Sequence, residues 1–333
     1  MSICCVAFVA ALLTYLKEYA PLLTPRRLAY GQFLSVNYGK AFFSMNKLKT
    51  LDTHRETLEK WARQLRLDVL MMLNKAKSGH TGGSLSAADI VAALYFYKMR
   101  HNPKEPKWLE RDRFILSKGH AAPIQYAALA RCGYFPPKEL LTLRRLGSIL
   151  QGHPDMKRTP GIEVCTGSLG QGLSMANGMA LALRLDKSSS RVYALLGDGE
   201  VEEGQVWEAA MSAAHYRLDN LCAIVDFNGF QIDGAVTDVM NVEPLSEKWK
   251  AFGWYVLMID GHDMGQIVKA LDDVETIKGQ PAMIIARTVK GKGVSIFEGK
   301  YQYHGVPPSD EELKKSLEEL MVSADGWPER LIP

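Results

Sequence analysis

The stretch "RVYALLGDGEVEEG", residues 191–204, sets an apolar run against a tight glycine turn and then three carboxylates within four residues. The run reads as a buried strand and about 203–217 as a helix, so Asp198 stands at a strand tip between Gly197 and Gly199. Carboxylates this close repel one another unless a bound cation, the positive end of a helix or solvent offsets them. The alternation continues with "LCAIVDF" (221–227) and "WYVLMI" (254–259) as strands, a helix over about 263–278, and "AMIIAR" (282–287) as a further strand. Strands alternating with helices imply an α/β fold, a parallel sheet flanked by helices with right-handed crossovers.

Upstream, Leu58, Trp61, Leu65, Val69, Met72 and Leu73 recur every three or four residues and predict a helix from about Asp52 to Lys77. "SGHTGGSLS" (78–86) breaks it. A second helix is expected from Ser86 to about Lys98, with Ser86 and Asp89 as its start signal. "DRFILSKGH" (112–120) reads as a short strand entering a loop, and 121–132 as a helix. The small residues of "TGSLGQGLSMANGMALALRL" (166–185) predict a tightly packed helix, and Ser309 with Glu312 form a capping box for a terminal one.

The 333 residues, 47% hydrophobic and 23% charged, are ordinary for a soluble protein with a sizeable core. A net charge of +3, with basic and acidic residues interspersed, does not carry the footprint of a nucleic-acid binder. Five cysteines form no C-x-x-C pair, which points to a reducing, cytoplasmic setting. The apolar run "ICCVAFVAALLTYL" (3–16) falls short of the roughly 20 residues that span a bilayer, and no Lys or Arg precedes it as in a signal peptide. No membrane association is expected. Residues 1–44 read as an extension foreign to the domain, 45–310 as the domain itself and 311–333 as a C-terminal helix and tail.

In open parallel sheets ligands collect beyond the carboxyl ends of the strands. Asp198 lies at one such end and "DFNGF" (226–230) at the next, so Asp198 and Asn228 face one crevice although 30 positions apart. A carboxylate and an amide oxygen suit Mg²⁺, or Ca²⁺, and Mg²⁺ prefers a coordination shell completed by phosphate oxygens and water. Gly197 and Gly199 would let the backbone approach a diphosphate, and the next helix N-terminus would favour the anion together with Glu202 and Glu203. On this reading Asp198 faces a cation and some of the other acids cap a helix. A lone G-D-G is a weak signal; the pairing with Asn228 is far more specific.

That G-D-G…N pattern resembles the thiamine diphosphate enzymes. Four histidines sit beside glycine in predicted loops: "SGHTGG" (His80), "SKGH" (His120), "QGHPD" (His153) and "YHGVPP" (His304). Together with "EVCTGSLGQGLSMANGMALALR" these segments resemble the N-terminal half of transketolase, in the same order over about Leu58 to Pro308. The resemblance implies the thiamine diphosphate-binding fold and the cofactor's diphosphate domain. It implies that Asp198, Asn228 and the carbonyl of Phe230 hold the metal, that Gly197 and Gly199 lie by the diphosphate, and that Gly167 and Leu169 lie against the cofactor. It further implies that His80, His120 and His304 line the cofactor and substrate channel, that His153 contacts the donor's hydroxyls, and that Glu203 joins a network linking paired active sites.

The family's activity is reversible transfer of a two-carbon ketol unit from a ketose phosphate to an aldose phosphate, as in the pentose phosphate pathway. A full-length transketolase continues with a pyrimidine-binding domain and a C-terminal domain, which the 23 residues after Asp310 cannot supply. The expectation is therefore one subunit of a split transketolase, active in a dimer of heterodimers with a separate C-terminal transketolase subunit. The alternatives are a truncated gene, the alpha subunit of a 2-oxo acid dehydrogenase or deoxysugar-forming synthase, and a non-catalytic scaffolding subunit. A nucleotide-binding reading lacks any G-x-G-x-x-G or P-loop after a predicted strand.

Overall fold

Strands β1 (Arg113–Leu116), β2 (Val192–Gly197), β3 (Leu221–Phe227), β4 (Tyr255–Asp260) and β5 (Ala282–Arg287) pair in parallel, in the spatial order β1-β2-β3-β5-β4. This computed structural model describes residues 51–331. The expected extension over 1–44 and the apolar run within it lie outside the described residues. Among the described residues no helix is long and apolar enough to cross a membrane.

Side chains of the strands alternate between two cores, the pattern a parallel sheet needs when both faces are covered. Tyr193 and Leu195 of β2 join one core, with Cys222 and Ile224 of β3. Val192, Ala194 and Leu196 join the other, with Ala223 and Val225. Helices α1 (Leu51–Ala76), α2 (Thr81–Ser86), α3 (Ala88–Ala93), α4 (Ala122–Cys132) and α9 (Met264–Thr276) cover the first face. The second lies under α5 (Gln171–Leu185), α6 (Gly204–His215) and α8 (Leu245–Ala251), with the short α7 (Val236–Val239) beside them. Each fully buried Leu, Ile or Val contributes about 1.5–3 kcal/mol.

The expected helices and strands are present, with two differences. "SGHTGGSLS" is not all loop, because Thr81–Ser86 closes a fully buried helical turn. Ser86 and Asp89 do not start the next helix, whose N-cap is Ala87 without a side-chain bond. Both side chains are committed to tertiary partners: Ser86 Oγ donates to Asp226 at 2.6 Å, and Asp89 pairs with Arg66 at 2.6 Å and His262 at 2.7 Å. The capping box of α10 (Asp310–Glu319) has both of its bonds, Glu312 N–H to Ser309 Oγ and Ser309 N–H to the Glu312 carboxylate. The tail after it folds back onto the domain. Leu320 is buried in the first core, and Trp327 Nε1 donates to Asp68, which also takes both arms of Arg131.

Candidate functional site

A parallel sheet puts the carboxyl ends of its strands along one edge, and the chemistry-bearing loops gather there. Asp198 follows β2, and its carboxylate accepts the N–H of Gly199 and that of Gly229, beyond the tip of β3. The two tips are thus joined across the 30 intervening residues. Gly229 has φ +81°, a left-handed conformation that reverses the chain with little strain only for glycine. The reversal collects the Asn228 side chain, whose Oδ1 accepts the Phe230 N–H at 3.2 Å, and the Phe230 carbonyl, which accepts Lys290 Nζ at 3.0 Å. Burial, and then the charge of Asp226, pushes the Asp198 carboxyl up to about 6.

Among the described residues no three His, Cys, Asp or Glu converge as a metal cluster. The oxygen set at this corner is one carboxylate, one amide and one carbonyl, the mixture that suits a hard cation sharing its shell with phosphate. The carbonyl of Phe230 takes the Lys290 ammonium, so a cation bound to that oxygen would share it with the lysine or displace it.

Two lysines that the motif spacing does not single out define the rest of the floor. Lys118, the lysine of "SKGH", is 1% exposed and donates to the Gly83 carbonyl at 2.8 Å and to the fully buried Asp226. Strand alternation sends Asp226 to the α2 side of β3, where Ser86 and Thr288 also donate to it. Burial works to raise the Asp226 carboxyl, but Lys118 and these hydroxyls more than offset it and hold it below the usual range. Lys290 is also 1% exposed, and burial with the charge of Lys118 lowers its pKa to about 8.

Three of the four expected histidines meet. Ring centroids of His80 and His120 are 5.2 Å apart, of His80 and His304 5.4 Å, and of His120 and His304 4.9 Å. Lys290 Nζ lies 2.9 Å from His304 Nδ1. Burial and neighbouring cations push His80 down to about 4, His304 to about 3 and His120 well below its ordinary value, so all three are neutral near pH 7. Neutral imidazoles can accept and donate protons, the property a relay needs. His153 makes no ring contact with the trio. It lies on Gly167 instead and leaves no room there for a side chain, since a Cβ would come within 2.8 Å of the imidazole, and the φ of +137° independently favours glycine.

The acids behind Asp198 behave differently from expectation. None caps α6 through its side chain; its N-cap, Glu203, is exposed and makes no such bond. Glu202 accepts from Gln231 at 2.7 Å. Glu200 turns inward, is 2% exposed, and accepts from Ser117 Oγ, Gly170 N–H at 2.9 Å and Gly197 N–H at 3.1 Å. It thereby ties the ends of β1 and β2 to the start of α5. A side chain on Gly197 would meet nothing nearer than 3.9 Å in the chain, so internal packing does not demand that glycine. Leu169 is half-buried, and its carbonyl accepts from Gln205 at 2.9 Å.

Residues 57–326 match the family model described as transketolase, thiamine diphosphate binding domain. The chain belongs to the transketolase family. It is 49% identical to the 6-deoxy-6-sulfo-D-fructose transketolase subunit SqwG of a Clostridium species, over 79% of this chain and 96% of that one. It is 43% identical to one subunit of the apulose-4-phosphate transketolase of Phocaeicola vulgatus, over 80% of this chain and 94% of the relative. Among solved structures, the transketolase of Campylobacter jejuni superposes with a TM-score of 0.77 at 38% identity, covering 80% of this chain and 43% of that one. The chain thus spans nearly the whole of the transketolase subunits it matches and about two fifths of the solved transketolase.

Proposed function

We propose that this transketolase-family chain is the diphosphate-binding subunit of a two-subunit enzyme that moves a two-carbon ketol unit from a ketose to an aldose, each bearing an anionic tail. The observation that carries the reading is the junction of the β2 and β3 tips, Asp198 to Gly229, beside three neutral histidines. A relative named as one subunit, matched over 96% of its length, supports the division of the enzyme between two chains. Exposed apolar side chains on the site's own loops, Leu146, Met156, Ile232, Met240 and Val306, support a protein surface closing over it. We take that surface to be the pyrimidine-binding subunit, in a dimer of heterodimers. The reading includes a reducing, cytoplasmic setting, in keeping with the unpaired Cys132, Cys165 and Cys222.

In this mechanism Asp198, Asn228 and the Phe230 carbonyl would hold Mg²⁺, and Gly197, Gly199 and Lys290 would face the diphosphate of thiamine diphosphate. That cofactor, when bound, supplies the stabilised carbanion on which ketol transfer depends. Gly167 and Leu169 would lie against that cofactor. His80, His120 and His304 exchange protons with the donor and acceptor oxygens, and His153 binds donor hydroxyls. Lys118 keeps the Asp226 charge satisfied beneath the site, and the exposed Glu203 reaches a second copy of the assembly.

The test is co-expression with the C-terminal subunit, followed by assay with xylulose 5-phosphate and with 6-deoxy-6-sulfofructose as donors. Ketol transfer that needs both chains, thiamine diphosphate and a divalent ion is the expected outcome. Full turnover by this chain alone would contradict the split-subunit reading, and cleavage of pyruvate instead of ketoses would contradict the reaction class.

A further inference from the structure

Arg144 has a left-handed backbone, φ +59°, which costs a residue with a Cβ on the order of 1 kcal/mol or more. Its N–H donates to the Leu150 carbonyl at 2.8 Å and closes the loop between them. The half-buried guanidinium donates from NH1 to Ser78 Oγ at 2.8 Å, while NH2 lies 3.5 Å from both the Gly152 carbonyl and His80 Nδ1. A Cβ on Gly152 would stand 3.4 Å from Cζ and Nε of Arg144, so the guanidinium rests on that backbone. One side chain therefore bridges the loop that carries His80 and the loop that carries His153.

Three other guanidiniums withdrawn from solvent are paired with carboxylates through both arms, Arg66 with Asp89, Arg111 with Glu163 and Arg131 with Asp68, whereas Arg113 approaches Glu163 with Nε at 3.7 Å and Arg191 donates to the Val274 carbonyl. Among the described residues no carboxylate pairs with Arg144. A strained backbone and an uncompensated cation are both unfavourable in a purely structural arginine, and both are met at a place between two histidines of the site.

We infer that Arg144 is a positioning residue for donor handling, setting the separation of the His80 and His153 loops and fixing the tautomer of His80. A guanidinium has only donors to offer, so the nitrogen it faces must present a lone pair. His80 then carries its proton on Nε2, the nitrogen directed toward Gly305 in the loop of His304. This role rests on the proposed reading of His80 and His153 as substrate-handling groups.

The experiment uses Arg144→Gln and Arg144→Lys in the full chain, with selectively ¹⁵N-labelled histidine and, for kinetics, the assembled enzyme. In the wild type the His80 resonances should be those of the Nε2–H form. Arg144→Gln should move them toward a tautomer mixture and lower kcat/KM for the donor by roughly 10–100-fold, the scale of a displacement near 1 Å, with thiamine diphosphate affinity unchanged. Arg144→Lys, which keeps the charge but loses the fork, should recover part of the rate. His80 signals unmoved in a folded Arg144→Gln chain, or donor kinetics within twofold of wild type, would overturn the inference. The tautomer measurement requires no partner chain, so it decides the His80 contact even if the assembled enzyme runs a different reaction.

Discussion

Lys290 turns its ammonium to Nδ1 of His304, 2.9 Å away, from a position where it also donates to the carbonyl of Phe230. One buried cation thus touches both the proposed metal corner and the histidine trio. The unprotonated state of His304 owes most to burial and next to this lysine.

Replacing Lys290 with Met should leave the stem packed while removing the charge. His304 should then titrate at higher pH, read from its ring resonances, and thiamine diphosphate should bind about 10–100-fold more weakly, the loss of a charge-assisted contact of about 1.5–3 kcal/mol. An unmoved His304 titration would separate the two residues electrostatically.

The buried pair of Lys118 and Asp226 should respond differently to single and double substitution. Lys118→Met alone leaves an uncompensated carboxylate and should cost about 3–5 kcal/mol in urea unfolding, whereas adding Asp226→Asn should restore part of it. Equal losses in the single and double variants would show that the charges are not coupled.

Acid should destabilise the chain through its histidines. His80 and His304 fall from 6.5 to about 4 and about 3 in the folded state, so the unfolded chain binds more protons in that window and stability drops as pH falls through it. Asp198 acts in the opposite sense, since its folded carboxyl, raised from 3.8 to about 6, contributes stability that is lost as pH rises over that interval. Asp68, Glu200 and Glu202, also raised by burial, act with Asp198, but with His101, His120 and His153 depressed as well the histidines outnumber these acids. The acid limb of a thermal melt series should be shallower in His304→Asn than in wild type; an identical limb would contradict this account.

The strand tips are legible in the sequence because two signals coincide there: an apolar run that must be buried, and a polar residue between or beside glycines directly after it. Asp198 and Asn228 are found by that logic, while the loops of His80, His120 and His304 are singled out by the glycines beside each histidine and by the family resemblance. What is not legible depends on partners far along the chain. Lys118 reaches residues 35 and 108 positions away, and Ser86, which local spacing places at a helix start, is claimed by Asp226 from 140 positions off. Asp226 does leave a trace: a lone carboxylate on an otherwise apolar strand must have a buried counter-charge, and "SKGH" carries a lysine at the end of another strand. Glu200 leaves none, because its inward turn distinguishes it from Glu202 and Glu203 only once the backbone is folded.

Replacing Gly167 with Ala should place a methyl against the His153 ring and strain the backbone at φ +137°. The expected outcome is a higher KM for the ketose donor and a stability loss of about 1 kcal/mol or more. Unchanged kinetics and stability would mean that His153 moves aside freely and takes no part in donor binding.

The most direct test of the metal corner is anomalous scattering from crystals grown with Mn²⁺ and thiamine diphosphate. The account predicts one strong peak bonded to oxygens of Asp198, Asn228 and the Phe230 carbonyl at about 2.0–2.2 Å, and its loss in Asp198→Asn. A peak elsewhere, or full occupancy in Asp198→Asn, would contradict it.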